Sequence, residues 1–191
     1  MRLSAVVQLI DGFNDAPMVG VRPTFVLNGQ PCHPHAKADG FYAFSELEDG
    51  DYQLTLQALP FFPQRVDFSV PPRLPLAEAI VPCRLAPSPL YPYPAGTTLI
   101  RGLVLSASQQ TPLAGVSVAA RYQNWQAKPR DASTQTSDYG RYLGRYALAL
   151  RGKLAAKTEV TLTFSKSGHT TIEVQLVLEP ATTQYVATEL R

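Results

Sequence analysis

The sequence is poor in charge, in cysteine and in tryptophan, and it holds no long apolar run. Asp, Glu, Lys and Arg make up 17% of its 191 residues, below the roughly 25% usual in soluble proteins. The net charge of +2 is too small for a backbone-binding groove, and no Lys or Arg run alternates with aromatics, so nucleic acid is not an expected partner. No segment approaches the roughly 18 consecutive apolar residues of a membrane-spanning helix. The opening stretch from Arg2 to Ile10 is cut by Gln8 and Asp11 before the apolar region of a signal peptide is complete. It reads as a first strand, and the expected location is cytoplasmic.

Only two cysteines occur, Cys32 and Cys83. A bridge between them is open, but without an export signal two buried thiols are the simpler reading. Cys32-His33-Pro34-His35 matches no standard zinc spacing and has no second cluster to complete it, so no metal or other cofactor is expected. The three histidines also limit catalysis. His33 and His35 crowd one loop and His169 lies in the other half, so a nucleophile–base–acid triad would have to cross between halves. Glu46, Glu48, Asp49 and Asp51 read as a solvated turn rather than acid–base machinery.

Proline, in contrast, is abundant at 17 residues, and one phrase is said twice. Pro17-Met18-Val19-Gly20-Val21 returns as Pro112-Leu113-Ala114-Gly115-Val116. Each copy is followed by an acidic turn ending in tyrosine, Asp39-Gly40-Phe41-Tyr42 and Asp138-Tyr139-Gly140-Arg141-Tyr142. Two copies of one small β domain are the economical reading.

Coarse periodicity agrees. Strands are expected at Leu3–Ile10, at Val21–Leu27 closed by an Asn28-Gly29 hairpin turn, at Phe41–Phe44, at Tyr52–Ala58 and at Gln64–Val70. In the second half they are expected at Thr98–Leu105, Val116–Tyr122, Tyr146–Leu150, Thr158–Phe164 and Thr171–Leu178. A weak helical period appears only near Arg145–Lys157. Between the halves, Pro87-Ser88-Pro89-Leu90-Tyr91-Pro92-Tyr93-Pro94 lacks the donors for a sheet interior and suits a semi-rigid spacer. The predicted organisation is therefore all-β: a sandwich over 1–84, a proline-rich linker over 85–97, and a divergent second sandwich over 98–191.

These residues resemble the carboxypeptidase regulatory-like, or transthyretin-like, β-sandwich domain. The first half carries its strand, its Pro-x-x-Gly-Val phrase, its Asp-Gly-Phe-Tyr turn and Leu47-Glu48-Asp49-Gly50-Asp51-Tyr52. The second half keeps Pro112 to Val116, Gly140 and Tyr142, and Phe164-Ser165-Lys166-Ser167-Gly168-His169 looks like the family's strand-then-glycine-aromatic ending. It replaces the Leu-x-x-Gly-x-Tyr turn with Arg145–Lys157. In this reading Gly20, Gly115, Gly40 and Gly140 give backbone freedom at turns, and Tyr42, Tyr52 and Tyr142 are core or corner aromatics.

The resemblance implies a non-catalytic module used for spacing, docking or adhesion. A transthyretin-like branch that hydrolyses 5-hydroxyisourate is marked by a Tyr-Arg-Gly-Ser ending, whereas this chain ends Val186-Ala187-Thr188-Glu189-Leu190-Arg191. A related Cna-type sandwich builds isopeptide crosslinks from a lysine in an early strand, and neither Val6–Ile10 nor Ile100–Leu105 has one. The two-unit layout with its Pro-Ser-Pro-x-Tyr-Pro linker also looks similar to accessory proteins of phage-tail-like contractile injection particles. The leading expectation is a structural or adaptor protein with a protein partner in a larger assembly. The alternative is a carbohydrate- or other ligand-binding module, with Trp125, Tyr122, Tyr91 and Tyr93 as its only evident stacking platform. Exposure of Trp125, the only tryptophan, discriminates the two, because a platform must be open before its ligand arrives.

Overall fold

A computed structural model describes residues 2–75 and 78–191. The chain is all-β and divides into two compact units, Met1–Tyr91 and Pro92–Arg191.

In the first unit the strands are β1 Leu3–Asp11, β2 Thr24–Leu27, β3 Gln30–Cys32, β4 His35–Ala36, β5 Phe41–Ser45, β6 Gly50–Gln57, β7 Gln64–Val70 and β8 Ile80–Leu85. One sheet has the order β4-β5-β1-β8 and the other β3-β2-β6-β7. Inward positions alternate along β1 and β6, so Val7, Leu9, Leu54 and Leu56 are buried, as a sheet with one covered face requires. Rings close the space between the sheets. Phe44 of β5 meets Phe25 of β2 edge-on at 6.2 Å and Phe68 of β7 at 5.9 Å. Asn28 and Gly29 both take positive φ and turn β2 into β3, as their sequence predicts.

In the second unit they are β9 Thr98–Ser106, β10 Ser117–Gln123, β11 Pro129–Gln135, β12 Arg145–Leu150, β13 Thr158–Ser165, β14 Ile172–Leu178, β15 Thr183–Tyr185 and β16 Thr188–Leu190. The sheets are β11-β10-β13-β14 and β12-β9-β15, with β16 also on β9. One buried cluster joins them, including Ile100, Val104, Tyr146 and Leu148 from one sheet and Val118, Leu162 and Phe164 from the other.

The topology repeats except that β4 has no counterpart and β8 is matched by two short strands. β1 and β9 each lie between an antiparallel neighbour, β5 or β12, and a parallel last strand, β8 or β15 and β16. Pro17 bridges Ile10 as Pro112 bridges Leu105.

Several sequence expectations are corrected. The weak helix over Arg145–Lys157 is strand β12 followed by a loop: Tyr146, Ala147, Leu148 and Leu150 are buried and every residue of the strand pairs with β9, so tertiary context overrides the helix propensity of Ala and Leu. The second strand begins at Thr24, not Val21, because Pro23 has no N–H to pair. No strand is expected between Val70 and Thr98, yet β8 forms at Ile80–Leu85. It is an edge strand, where Pro82 is tolerated.

The counterpart of Gly40 is not Gly140 but Gly144. The carbonyl of Gly40 accepts from Leu9 N–H and that of Gly144 from Val104 N–H, each at 2.9 Å. Both glycines have φ of +71, and a Cβ on either would come within 2.7 Å of another atom. Hence Tyr146, opposite Gly102, is the equivalent of Tyr42, opposite Val7. Tyr142 lies instead in a 3-10 turn, Gly140–Tyr142. The extra glycine-tyrosine pair four residues upstream misleads sequence alignment.

Candidate functional site

The residues with catalytic potential are divided between the two units, His33 and His35 in the first and His169 in the second. His33 and His35 are exposed, and His169 Nδ1 lies 3.3 Å from the Ser167 carbonyl. Among the described residues no three His, Cys, Asp or Glu side chains are placed to hold a metal ion. The acidic turn is built into the fold. Arg2 donates to the Leu47 carbonyl at 3.0 Å and pairs with Asp49 at 3.2 Å, and the Glu46 carboxylate accepts from the Arg2 N–H. Asp51 accepts from Ser69 Oγ, and Tyr52 donates to the Glu48 carbonyl. Both thiols are free. Burial pushes the Cys83 thiol up to about 12 and raises that of Cys32 as well, the latter partly offset by a backbone hydrogen bond at Leu27. Neither thiol is an activated nucleophile.

The four aromatics expected to form a platform have different fates. Tyr91 is buried in the first unit, its hydroxyl donating to Asp11 at 2.6 Å and its ring 5.4 Å from that of Phe61. Tyr93 is half-buried in the second unit with the Arg101 guanidinium 5.9 Å from its ring centre. Tyr122 is buried, and its hydroxyl accepts from Arg151 N–H at 2.9 Å and donates to the Arg151 carbonyl at 3.1 Å. Burial raises its pKa, an effect that this hydrogen bonding and nearby Arg130 and Arg151 oppose. Only Trp125 is open, at 54% exposure.

The turn that carries Trp125 is firmly fixed. Asn124 Oδ1 accepts from the N–H groups of Gln126 and Lys128, both at 3.0 Å, and Ala127 takes a positive φ to close the β10–β11 hairpin. Such a side-chain-to-backbone turn is a common use of Asn. Trp125 N–H donates to the Lys153 carbonyl at 3.0 Å, which ties the hairpin to the loop after β12. Lys153 Nζ lies 5.0 Å from the indole centre, within cation–π range.

Beside the ring runs an open groove of about 920 Å3 along the outer face of β10, β13 and β14, lined among others by Arg121, Gln123, Lys157, Glu159 and Gln175. Sequence reasoning found Trp125 but not the 151–157 loop that completes the site. The signal was present as Arg151, Lys153 and Lys157, hidden by reading that stretch as weakly helical.

A second hollow, of about 500 Å3, lies on the first unit beside Leu3, Val6, Phe41 and Ile80, with Lys37 and Asp39 at its edge. Leu3 and Ile80 are 39% and 41% exposed, so this outer face is largely apolar.

No family model matches the chain, and no curated protein matches it. Among solved structures it is similar to the Bacillus anthracis TIE protein, at 12% identity over 98% of this chain and 34% of that one, with a TM-score of 0.35. It is similar to GBS52, the minor pilin of Streptococcus agalactiae, at 10% identity over 98% of this chain and 95% of that one, with a TM-score of 0.33. It is also similar to a double mutant of the shaft pilin SpaA from Lactobacillus rhamnosus GG, at 8% identity over 99% and 98%, with a TM-score of 0.35. Among the described residues no helix is long and apolar enough to cross a membrane.

Proposed function

We propose that this chain is a non-enzymatic structural or adaptor protein that docks onto a larger protein assembly, of the contractile, phage-tail-like kind. The observation that carries the reading is the open apolar hollow on the first unit, lined by exposed Leu3 and Ile80 and half-buried Val6 and Phe41. Single exposed apolar side chains are ordinary, but a contiguous apolar surface that includes two of them favours a covering partner. The test is co-purification of the tagged chain with its particle from native lysate, read by mass spectrometry and electron microscopy. Recovery of tube, sheath or baseplate proteins by the wild type, and their loss in an Ile80→Glu variant with an unchanged circular dichroism spectrum, is expected. A monomer that retains no protein partner sinks the reading.

One observation favours a second reading, a ligand-binding module on the second unit. Trp125 is open while its turn is pinned, so a ring can be offered to a ligand with little ordering cost.

A further inference from the structure

The charges of the chain are unevenly shared. Met1–Tyr91 holds six Lys and Arg against nine Asp and Glu, a net charge of −3, and Pro92–Arg191 holds eleven against six, a net charge of +5. The two add to the +2 of the whole chain, so a near-neutral total hides a basic second unit.

Much of that excess gathers around Trp125. Lys128 and Arg130 belong to the β10–β11 hairpin, and Arg151, Lys153 and Lys157 to the loop that Trp125 is bonded to. All five side chains are exposed. Among the described residues Lys128, Arg130, Lys153 and Lys157 form no ion pair, although Asp131 and Glu159 are close in sequence and Glu159 lines the same groove. Cations left without carboxylate partners around an open groove attract negative charge, the more so because field lines concentrate in a concave surface.

We propose that the Trp125 groove binds an acidic polysaccharide, the indole packing on a sugar ring while Lys153 and Lys157 meet carboxylates of the chain. This inference rests on the ligand-binding reading and names its ligand class. The shape fits a polymer, since the groove runs open across three strands and is not a closed pocket. Gln123 and Gln175 on the same face supply donors and acceptors for sugar hydroxyls. A single-stranded nucleic acid fits less well. Such strands are held by several stacking rings in succession, whereas Trp125 is the one exposed aromatic of this groove and Tyr122 beside it is buried with its hydroxyl already bonded.

Because Trp125 is the only tryptophan, its emission reports this site directly. The full chain is titrated with polygalacturonic acid, with dextran as the neutral control and with an oligothymidylate as the competing polyanion. A saturable emission change with polygalacturonic acid alone is expected. Its affinity should fall about tenfold in a Lys153→Gln, Lys157→Gln double variant, whose exposed substitutions leave the fold intact by circular dichroism, and by a similar factor as salt rises from about 0.05 M to about 0.5 M. Equal response to dextran overturns the acidic preference and leaves the ligand-binding reading standing. No response to either saccharide overturns both. Tighter binding of the oligonucleotide, or an affinity for polygalacturonic acid untouched in the double variant, also overturns the proposal.

Discussion

At the same register position of the same strand, the first unit places Val7 and the second Gly102, and the two sandwiches solve the space around that position in opposite ways. Val7 is fully buried and fills its own site, while the equivalent tyrosine, Tyr42, packs beside it on Phe25 at 4.8 Å. Gly102 leaves room that backbone and ring share. The Val186 carbonyl oxygen lies 1.8 Å from where a Cβ on Gly102 would be and the Tyr146 ring 2.8 Å from it, and the Tyr146 hydroxyl donates to that carbonyl at 2.9 Å. Val186 and Ala187 then separate β15 from β16, so the last strand is broken in the second unit and continuous as β8 in the first. A shared topology therefore constrains strand order and register, not which side chain fills a given volume.

Exchanging the two solutions gives the largest expected effect. A Cβ on Gly102 would lie 1.8 Å from the Val186 carbonyl oxygen, so Gly102→Val forces backbone apart and should cost the second unit about 3 kcal/mol or more. Val7→Ala empties a filled site and should cost the first unit about 2 kcal/mol. Urea titration separates them, because Trp125 fluorescence follows the second unit alone. A Gly102→Val variant whose Trp125 transition does not move would show that the close packing around Tyr146 is wrong.

The next effect tests the corrected correspondence between the repeats. Gly40 and Gly144 combine a φ of +71 with a close backbone approach, whereas Gly140, at φ +43, has nothing within 4 Å of a built Cβ. Gly144→Ala and Gly40→Ala should each cost about 2 kcal/mol in their own units, and Gly140→Ala about 1 kcal/mol or less. If Gly140→Ala is the more damaging of the pair in the second unit, the sequence alignment was right and the hydrogen-bond correspondence is misleading.

A smaller effect isolates one hydroxyl. Tyr146→Phe leaves the buried end of the ring without its donation to Val186 and should cost about 1 to 2 kcal/mol. Tyr42 makes no side-chain hydrogen bond in the described structure, and Tyr42→Phe should stay within about 0.5 kcal/mol of wild type. Equal losses at the two positions would mean that the hydroxyl of Tyr146 contributes nothing beyond its ring.

How much of this could be read from sequence follows from where the information lies. Alternation along β6, β13 and β14 is local, and so is the Asn28-Gly29 turn; both were legible. The parallel strands β8, β15 and β16 were not, since their signal is pairing with a strand some 70 to 85 residues away and their segments are short or carry proline. The same applies to the candidate site. Trp125 stood out by rarity, but its partner Lys153 reaches it through a loop that is held where Tyr122 bonds Arg151. Nothing in the spacing of those residues encodes that contact. Tyr91, chosen beside Trp125 as an aromatic, is instead drawn into the first unit by Asp11 and Phe61.

The thiols offer the mildest contrast, because both belong to the first unit. The Cys83 thiol is fully buried in β8 and its pKa is raised from 9.0 to about 12 by desolvation. An acid whose folded pKa is raised keeps its proton in the fold after the unfolded chain has released it, so protons are lost on unfolding and stability falls as pH rises. Below about pH 8 both states hold the proton and the burial of a neutral thiol is undisturbed. Between 9.0 and about 12 the loss approaches 1.4 kcal/mol for each pH unit. Stability of the first unit should therefore drop by about 1 kcal/mol between pH 8 and pH 10, and a Cys83→Ala variant, less stable at pH 8, should show a flatter profile. The second unit has no cysteine, and the raised pKa values of Tyr122 and Tyr146 act only above the usual tyrosine range near 10. Its Trp125-detected stability should stay nearly level from pH 8 to about pH 9 and fall less than that of the first unit by about pH 10, where the tyrosines of the unfolded chain begin to ionise. A matching decline in both units would locate the alkaline sensitivity somewhere other than Cys83.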